Sequence, residues 1–280
     1  MISTLFKRKP KAPVSPVVPQ LPDGIVVWAV GDIHGCLDLL KGLVDQIMVD
    51  AAATTAERKV VIFLGDYIDR GPDSRGVLEY LLKLPRDIGI EWRFLKGNHE
   101  EAMLKFLDDP SFGPNWCEYG GDAALASYGL KPPEIRHRVE AWARVSADLD
   151  HKVTTAERDF LNSLEYSVSI GDYFFAHAGA RPGVALDRQS ERDLMWIRGR
   201  FLDDETPFEK VVVHGHTPTT SVYSDHRRIG VDTKAYASGE LSAISLSGCR
   251  RTVLTARFAP TEAEALRSVV VMRHEEKGLV

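Results

Sequence analysis

The sequence predicts an α/β protein built as a four-layer α/β sandwich, in which helices flank two β-sheets and a helical insertion interrupts the chain. Three patterns predict this fold. Strand-like apolar runs alternate with segments of helical spacing in the first hundred residues, which is typical of βαβ units and a mostly parallel sheet. A polar, helical stretch broken by glycine and proline then occupies about 101–164. Short strand-like runs joined by turns follow it and predict a second, mixed sheet.

The first sheet is predicted from three short strand-like runs, each of which ends at a polar or glycine-containing segment. Segments with helical spacing of their apolar residues separate the runs. The second of these helices is expected to begin at Ser74, whose hydroxyl can cap the first turn. In chain order, the predicted strands and helices are Ile25–Val30, 36–50, Val60–Leu64, 74–84 and Glu91–Leu95.

The helical insertion is expected to cover one edge of the functional site. Its aromatic residues Trp116, Tyr119 and Tyr128 could shape substrate access, but ordinary packing within this cap is the favoured interpretation. After the insertion, six further strands are predicted for the second half of the sandwich. They are Tyr166–Ile170, Tyr173–Ala176, Lys210–Val213, Arg228–Val231, Leu241–Leu246 and Thr252–Phe258.

Composition excludes several classes of protein. The chain has 280 residues, of which 44% are hydrophobic, and this is enough for a sizeable core. The formal charge of −5 gives no general attraction to nucleic acid or to an anionic membrane, and no apolar run is long enough to span a bilayer. Cys36, Cys117 and Cys249 are scattered and odd in number. They predict neither a disulfide framework nor a cysteine metal site, so a cytoplasmic location fits best.

The first 22 residues, MISTLFKRKPKAPVSPVVPQLP, are basic and rich in proline. Because the prolines interrupt any apolar run, we interpret this segment as a disordered or extended arm rather than a signal peptide. A basic docking tail is the functional alternative. One domain is then expected over residues 23–280.

Polar clusters follow five of the predicted strands. In open α/β sheets, ligands bind at the carboxyl ends of the strands, so these clusters are expected to converge on one pocket. Glycine accompanies most of them and permits tight turns and close approach of the backbone. The clusters are Asp32 and His34 in AVGDIHG, Asp66, Asp69 and Arg70 in FLGDYIDRG, Asn98 and His99 in FLKGNHE, His177 in FFAHAGARPG, and His214 and His216 in VVVHGHTP.

These side chains are typical of a metal site. Carboxylate oxygen, imidazole nitrogen and amide oxygen without thiolate suit Mn²⁺, Fe or Zn²⁺. Two cations about 3.5–4 Å apart would clamp an in-line displacement at phosphorus, and one aspartate could bridge them. A bridging hydroxide would then attack phosphorus. An arginine fork would bind the phosphoryl oxygens, and a His–Asp pair would give a proton to the leaving oxygen.

The motifs GDIHG, GDYIDRG, GNHE, HAG and GHTP together resemble those of the calcineurin-like metallophosphoesterases. The resemblance is closest to the bacterial phosphoprotein phosphatases that act on phosphoserine and phosphothreonine, and it extends from about Val26 to Leu246. It implies a four-layer αββα sandwich with a dinuclear centre of two divalent metal ions, with Mn²⁺ expected and Fe or Zn²⁺ as alternatives. The implied ligands are Asp32 and His34 for the first ion, Asp66 for both ions, and Asn98, His177 and His216 for the second.

The resemblance also implies catalytic roles. His99 would be the general acid, oriented and kept charged by Asp69, which is expected to raise the pKa of the imidazole. Arg70 would bind the phosphate oxygens. Arg198 in DLMWIRGRF would be a second phosphate clamp, although Arg200 fits the same segment.

Two positions leave the resemblance incomplete. His214 could line the second metal site or merely orient a ligand. In GVDTKAYASGELSAISL, which is similar to the closing strands of the family, Lys234 occupies a position where glycine is expected.

Three functions compete. The favoured one is a phosphomonoesterase acting on phosphoserine or phosphothreonine in proteins, and a phosphorylated small molecule is the other substrate considered for it. The alternative is a symmetrical diadenosine tetraphosphate hydrolase, but related hydrolases of that type tend to lose the aspartate that is present here as Asp69. A catalytically silent scaffold is disfavoured because every expected ligand is present. A nuclease lacks support because no basic stripe is interleaved with aromatic residues. The sequence leaves the oligomeric state open.

Overall fold

The computed structural model describes residues 18–259 and 268–275, which form a mixed α/β fold with two sheets. The larger sheet has six strands in the order β11-β10-β9-β1-β2-β3. Strands β1, β2 and β3 run parallel, whereas β9, β10 and β11 pair antiparallel. The strands of this sheet are β1 Ile25–Val30, β2 Arg58–Phe63, β3 Ile90–Phe94, β9 Glu240–Ser247, β10 Arg250–Phe258 and β11 Val269–Glu275.

The second sheet has five strands in the order β4-β5-β6-β8-β7. Its three central strands, β5, β6 and β8, are parallel, and an antiparallel strand lies at each edge. The carboxyl ends of its parallel strands therefore lie at a common edge. The strands are β4 Ser167–Ile170, β5 Tyr173–Ala176, β6 Val211–His214, β7 Tyr223–Ser224 and β8 Arg228–Gly230.

Helices cover the outer face of each sheet. Helices α1 to α7 share one hydrophobic cluster with the outer face of the larger sheet, and within it α4 to α6 pack on α2 and α3. Helices α8 and α9 pack on the smaller sheet, and short 3₁₀ turns lie at Pro110–Phe112 and Leu186–Arg188. The helices are α1 Leu37–Ala53, α2 Ser74–Leu82, α3 Asn98–Asp108, α4 Gly113–Glu118, α5 Gly121–Ser127, α6 Val139–Lys152, α7 Thr155–Ser163, α8 Glu191–Trp196, α9 Gly199–Leu202 and α10 Ala235–Ser238.

Three hydrophobic clusters separate the four layers. Side chains alternate between the two faces of a strand. Trp28 therefore lies in the cluster that faces the helices, and its neighbours Val27 and Ala29 lie in the cluster between the sheets. Likewise Phe174 faces α8 and α9, whereas Phe175 faces the larger sheet. Because both faces of the central strands are buried, their sequences are continuously apolar. The predicted four-layer sandwich is confirmed, and residues 98–163 are largely helical as expected of the insertion.

Some local predictions were wrong. Ser74 is the first residue of α2 and not its cap; the cap is Asp73, whose carboxylate accepts the Gly76 N–H at 2.8 Å. The Ser74 hydroxyl instead accepts the backbone N–H of Asp69 at 2.9 Å. The two-residue strand β7 and the edge strand β11 were not predicted.

The predicted arm falls largely outside the described residues, which begin at residue 18. Its last part belongs to the folded domain, because Leu21 is 2% exposed and its N–H donates to the Gly248 carbonyl. Among the described residues, no helix combines the length and the apolar character needed to cross a membrane.

Candidate metal centre and phosphate site

The predicted residues meet at the carboxyl ends of parallel strands from both sheets. Asp32 follows β1, Asp66 follows β2 and Asn98 opens α3 after β3. His177 follows β5 and His216 follows β6, and these bring the second sheet to the same place. The site therefore lies where the strand ends of the two sheets meet, as is usual for open α/β folds.

The Asp66 carboxylate lies at the middle of the cluster. Its Oδ2 atom is 3.6 Å from His34 Nε2, 3.4 Å from His177 Nε2 and 3.8 Å from His99 Nε2. All four side chains are nearly fully buried. Two sets of donor atoms that could hold a metal ion share this carboxylate. They are His34, Asp66 and His99, and Asp66, His177 and His216, with all atoms of each set within 4.8 Å of one another.

The remaining predicted ligands border these two sets. His177 Nε2 lies 3.0 Å from Asn98 Oδ1 and 3.2 Å from His216 Nδ1. The Asp32 carboxylate accepts the His216 backbone N–H at 3.0–3.1 Å and so joins the larger sheet to the smaller one. Asp32 itself belongs to neither three-residue set.

Backbone carbonyl groups fix the orientation of two imidazoles. His34 Nδ1 lies 2.8 Å from the Ile68 oxygen, and His177 Nδ1 lies 2.9 Å from the Leu64 oxygen. Because a carbonyl oxygen only accepts, each Nδ1 carries a proton, and Nε2 is the ring nitrogen that faces Asp66. Hydrogen bonds of this kind orient histidine ligands in metal sites.

Backbone strain is concentrated at the site. Among the described residues, six that are not glycine have positive φ, and five of these six are predicted site residues. Left-handed backbone costs L-residues roughly 1–2 kcal/mol, so such strain persists only where the surrounding structure enforces it. The six are His34, Asp66, Asp69, Arg70, His216 and Lys234.

Glu100 is a residue that the sequence interpretation did not assign to the site. Its buried carboxylate accepts backbone N–H groups of Asp66 at 3.0 Å, Tyr67 at 2.8 Å and Gly97 at 2.9 Å. Gly97 must be glycine, because a Cβ there would lie 2.1 Å from Asp66 Oδ1. Glu100 therefore joins the ends of β2 and β3 beneath the Asp66 carboxylate. Glu100 is the glutamate of the GNHE motif, and its place in that motif was the sequence signal that could have assigned it to the site.

Burial and close carboxylates set the charges of the site. Burial lowers the pKa of His34 to about 3 and that of His216 to about 2, so both imidazoles are neutral, as metal ligands must be. Burial also raises the pKa of Asp32 well above its ordinary value, with help from Asp232 and Asp66.

The Asp66 carboxyl behaves differently from Asp32. Burial alone would raise its pKa, but the nearby imidazoles of His177 and His99 lower it well below the usual range. In return, Asp66 outweighs the burial of His177 and raises the pKa of that imidazole. The centre of the cluster therefore stabilises positive charge. Its oriented lone pairs and buried carboxylates fit divalent cations.

His99 and Asp69 form the predicted pair, but not with the predicted charge. His99 Nδ1 lies 2.7 Å from Asp69 Oδ2, and the side chains are 1% and 0% exposed. Burial lowers the pKa of His99 to about 4, although Asp66 opposes this. Burial also raises the pKa of Asp69 well above its usual range. The expectation that Asp69 raises the pKa of His99 and keeps it charged was wrong, because desolvation of the buried imidazole is the largest effect on its pKa. Asp69 orients the imidazole.

The two predicted phosphate clamps lie at the exposed mouth of the cluster. Arg70 Nη1 is 3.1 Å from His34 Nε2, and Arg198 Nη2 is 3.3 Å from His216 Nε2. Among the hydrogen bonds of the described residues, none joins Arg200 to His34 or His216, and Arg200 lines the same cavity beside the site as Arg198. Tyr236, which was not predicted, stands beside the first clamp: its ring centroid is 5.1 Å from the Arg70 guanidinium carbon.

His214 lies outside the cluster. Its Nδ1 is 2.9 Å from the Gly215 oxygen, and its Nε2 is 3.2 Å from Arg228 Nη1. Because both ring nitrogens have hydrogen-bond partners, His214 has a structural role beside the site. Its ring also packs edge-on against Phe201, with 5.0 Å between the centroids.

Comparison with known proteins identifies the family. The family described as Calcineurin-like phosphoesterase matches residues 25–240, which is most of the chain. The chain is 36% identical over 225 residues to Serine/threonine-protein phosphatase 2 of Escherichia coli, covering 77% of this chain and 90% of that protein. It belongs to the calcineurin-like phosphoesterase family and is a metallophosphoesterase of the hydrolase class.

Other relatives carry different names. The chain is 23% identical over 261 residues to Bis(5'-nucleosyl)-tetraphosphatase PrpE [asymmetrical] of Bacillus velezensis, covering 85% of this chain and 95% of that protein. The alternative drawn from the sequence was a symmetrical hydrolase, whereas this relative is named asymmetrical. The cold-active protein-tyrosine phosphatase of a psychrophilic Shewanella has the same fold, with a TM-score of 0.55, 19% identity, and coverage of 88% of this chain and 84% of that chain.

Proposed function

We propose that this protein is a dinuclear metal-dependent phosphatase that hydrolyses phosphoserine or phosphothreonine in proteins. The observation that carries the proposal is the buried Asp69–His99 pair, joined at 2.7 Å beside the Asp66 cluster. Such a pair is needed where the leaving group is a poor one, such as a serine alkoxide. The similarity to Serine/threonine-protein phosphatase 2 also supports this substrate class.

The chain offers ligands for two cations. Asp32 and His34 would hold the first ion, Asp66 both ions, and Asn98, His177 and His216 the second. Two divalent cations, for which we propose Mn²⁺, would when bound supply Lewis acidity to the phosphoryl oxygens and activate water.

The two exposed arginines would bind and orient the phosphate group. A guanidinium group presents a planar fork that matches two phosphate oxygens. Arg70 and Arg198 lie on opposite sides of the cluster, next to His34 and His216 respectively. Between them, a phosphoryl group would have donors for charge that grows on its oxygens during the reaction.

His99 would give a proton from Nε2 to the leaving oxygen. Its Nδ1 is held by Asp69, so the opposite nitrogen faces the Asp66 cluster. Because burial lowers the pKa of this imidazole, the negative charge of the bound phosphate would be needed to favour its protonation.

A dinucleotide hydrolase is the second candidate, and one observation favours it. A cavity of 740 Å³ opens beside the site between the cap and α8, and Tyr119, Trp196, Arg192 and Arg198 are among its lining residues. Aromatic rings beside cations could take a nucleobase and its phosphates, although a phosphopeptide chain would fit the same surface.

A parallel assay decides between the two. We expect the Mn²⁺-reconstituted protein to show the higher kcat/KM on a phosphoserine or phosphothreonine peptide, and the lower on diadenosine tetraphosphate. A large excess for the dinucleotide would contradict the proposal and favour the second candidate. No turnover of either substrate by protein with both metals bound would favour a silent scaffold.

A further inference from the structure

Trp116 connects the helical cap to the proposed acid pair. It lies in α4, and its indole Nε1–H donates to Asp69 Oδ2 at 2.9 Å. The same oxygen lies 2.7 Å from His99 Nδ1. A single oxygen of Asp69 therefore bonds both the imidazole and a residue of the cap that is 47 residues away in sequence.

The other carboxylate oxygen gives no comparable restraint. Asp69 Oδ1 is buried and has no hydrogen-bond partner among the described residues. Without Trp116, only the bond from His99 would hold the carboxylate in its plane. A carboxylate that is free to rotate with the imidazole cannot hold the imidazole in place. The Asp69 carboxylate therefore needs a second hydrogen bond, and the cap provides it.

The indole is itself held rigidly. Trp116 is 0% exposed and stacks on Phe106, with 5.1 Å between the ring centroids. Gly121 also packs closely against it, because a Cβ at that position would lie 2.5 Å from the indole. The neighbouring Gly120 carbonyl accepts the Arg70 backbone N–H at 3.0 Å. The cap thus restrains both the acid pair and the first phosphate clamp.

We propose that Trp116 is a positioning residue for the His99 acid: its indole N–H fixes the Asp69 carboxylate, which in turn fixes the imidazole. This inference rests on the proposed role of His99. It assigns to the cap a part of the catalytic machinery, in place of the packing role expected from the sequence. Trp116 need not touch substrate or metal.

The test is Trp116→Phe, which keeps an aromatic ring and removes the N–H donor. Trp142→Phe is the matched control, because Trp142 is also buried in the cap and donates its Nε1–H to the Arg136 oxygen at 2.7 Å, away from the site. Each variant is assayed with both metals loaded, on a phosphoserine peptide and on p-nitrophenyl phosphate. The nitrophenolate leaves without a proton because its charge is delocalised.

We expect Trp116→Phe to lower kcat on the peptide about 10-fold and to change kcat on p-nitrophenyl phosphate little. This loss is smaller than the about 10²–10⁴-fold that a general acid contributes, because His99 itself is kept. Trp142→Phe should change kcat by the same factor on both substrates. Equal losses on both substrates in Trp116→Phe, or no loss on the peptide, would overturn the inference.

A second readout does not depend on activity. In metal-free protein, the His99 Nδ1–H bonded to Asp69 should give a downfield proton resonance that is absent from His99→Asn. We expect Trp116→Phe to shift or broaden this resonance and Trp142→Phe to leave it in place. An unchanged resonance in Trp116→Phe would contradict the inference.

The His99→Asn variant separates the two possible failures. If it shows a selective loss on the peptide and Trp116→Phe does not, only the role of Trp116 is wrong. If His99→Asn loses activity equally on both substrates, the proposed acid is wrong and the positioning role is overturned with it.

Discussion

Glu100→Gln tests the backbone architecture under the candidate metal centre without requiring metal. Glu100 Oε2 accepts the N–H groups of Asp66 and Gly97, and Oε1 accepts those of Tyr67 and, at 3.4 Å, of Ile68. Burial and the neighbouring Asp66 raise the pKa of Glu100 to about 8. Both oxygens of a carboxyl group can accept hydrogen bonds whether the group is ionised or protonated. The amide nitrogen of glutamine is a donor and cannot accept a hydrogen bond.

The expected loss follows from counting bonds. In the better rotamer, glutamine keeps the two bonds at Oε2 and places its amide nitrogen against the N–H groups of Tyr67 and Ile68. The short bond from Tyr67 and the long bond from Ile68 are lost and both buried N–H groups are left unpaired, which costs about 2–4 kcal/mol of unfolding free energy, most of it from the Tyr67 bond. For a chain of this size, the corresponding fall in Tm is roughly 4–8 °C.

The assay is denaturant unfolding of chelator-treated protein, because bound metal would add its own stability. Glu157→Gln is the matched control: Glu157 is also buried and accepts bonds from Thr154 and Tyr128, but within the cap. Both variants should lose stability, while only Glu100→Gln should weaken metal binding, by about 10–100-fold as for other residues that support ligands. A stability change below about 0.5 kcal/mol in Glu100→Gln, as for ordinary surface substitutions, would refute the reasoning.

Three further predictions follow from single positions. Lys234→Gly should raise the unfolding free energy by about 0.5–1 kcal/mol, because glycine adopts the left-handed backbone conformation of this position without strain. The greater entropy of glycine in the unfolded chain offsets part of this gain. A lower Tm would contradict the prediction. Arg198→Ala should raise KM for a phosphopeptide about 10–100-fold, which corresponds to the loss of one hydrogen bond to a charged group, whereas Arg200→Ala should change KM little. If steady-state kinetics showed the larger rise in KM for Arg200→Ala, Arg200 would be the phosphate clamp. His214→Gln should retain both metals in elemental analysis, because its ring nitrogens bond only protein atoms, and loss of one metal would make His214 a ligand.

Much of the fold was predictable because local patterns and tertiary structure agree. The strands Ile25–Val30 and Tyr173–Ala176 have the predicted bounds, since each is a continuous apolar run that ends at a polar site residue. The convergence of the strand-end clusters was predictable from the geometry of parallel sheets alone. The resemblance to the family was enough to predict that Asp69 and His99 form a hydrogen-bonded pair.

Other features depend on contacts that no short stretch of sequence reveals. The Trp116 indole reaches Asp69 only because the cap folds back over the loop after β2. The pKa of His99 depends on how completely the folded chain excludes water from the imidazole, which composition does not show. Strand β11 lies at a sheet edge and is largely exposed, so it forms through pairing with β10 rather than through its own burial.

The central claim is that Asp66 joins two cations in one centre. Elemental analysis of protein loaded with Mn²⁺ and then freed of loosely bound metal tests it most directly, with Asp66→Asn compared against the unaltered chain. We expect about two ions per unaltered chain, as in two-metal phosphatases, and fewer than about one in Asp66→Asn, because one carboxylate serves both ions. Two tightly held ions in Asp66→Asn, or none in the unaltered chain, would contradict the account.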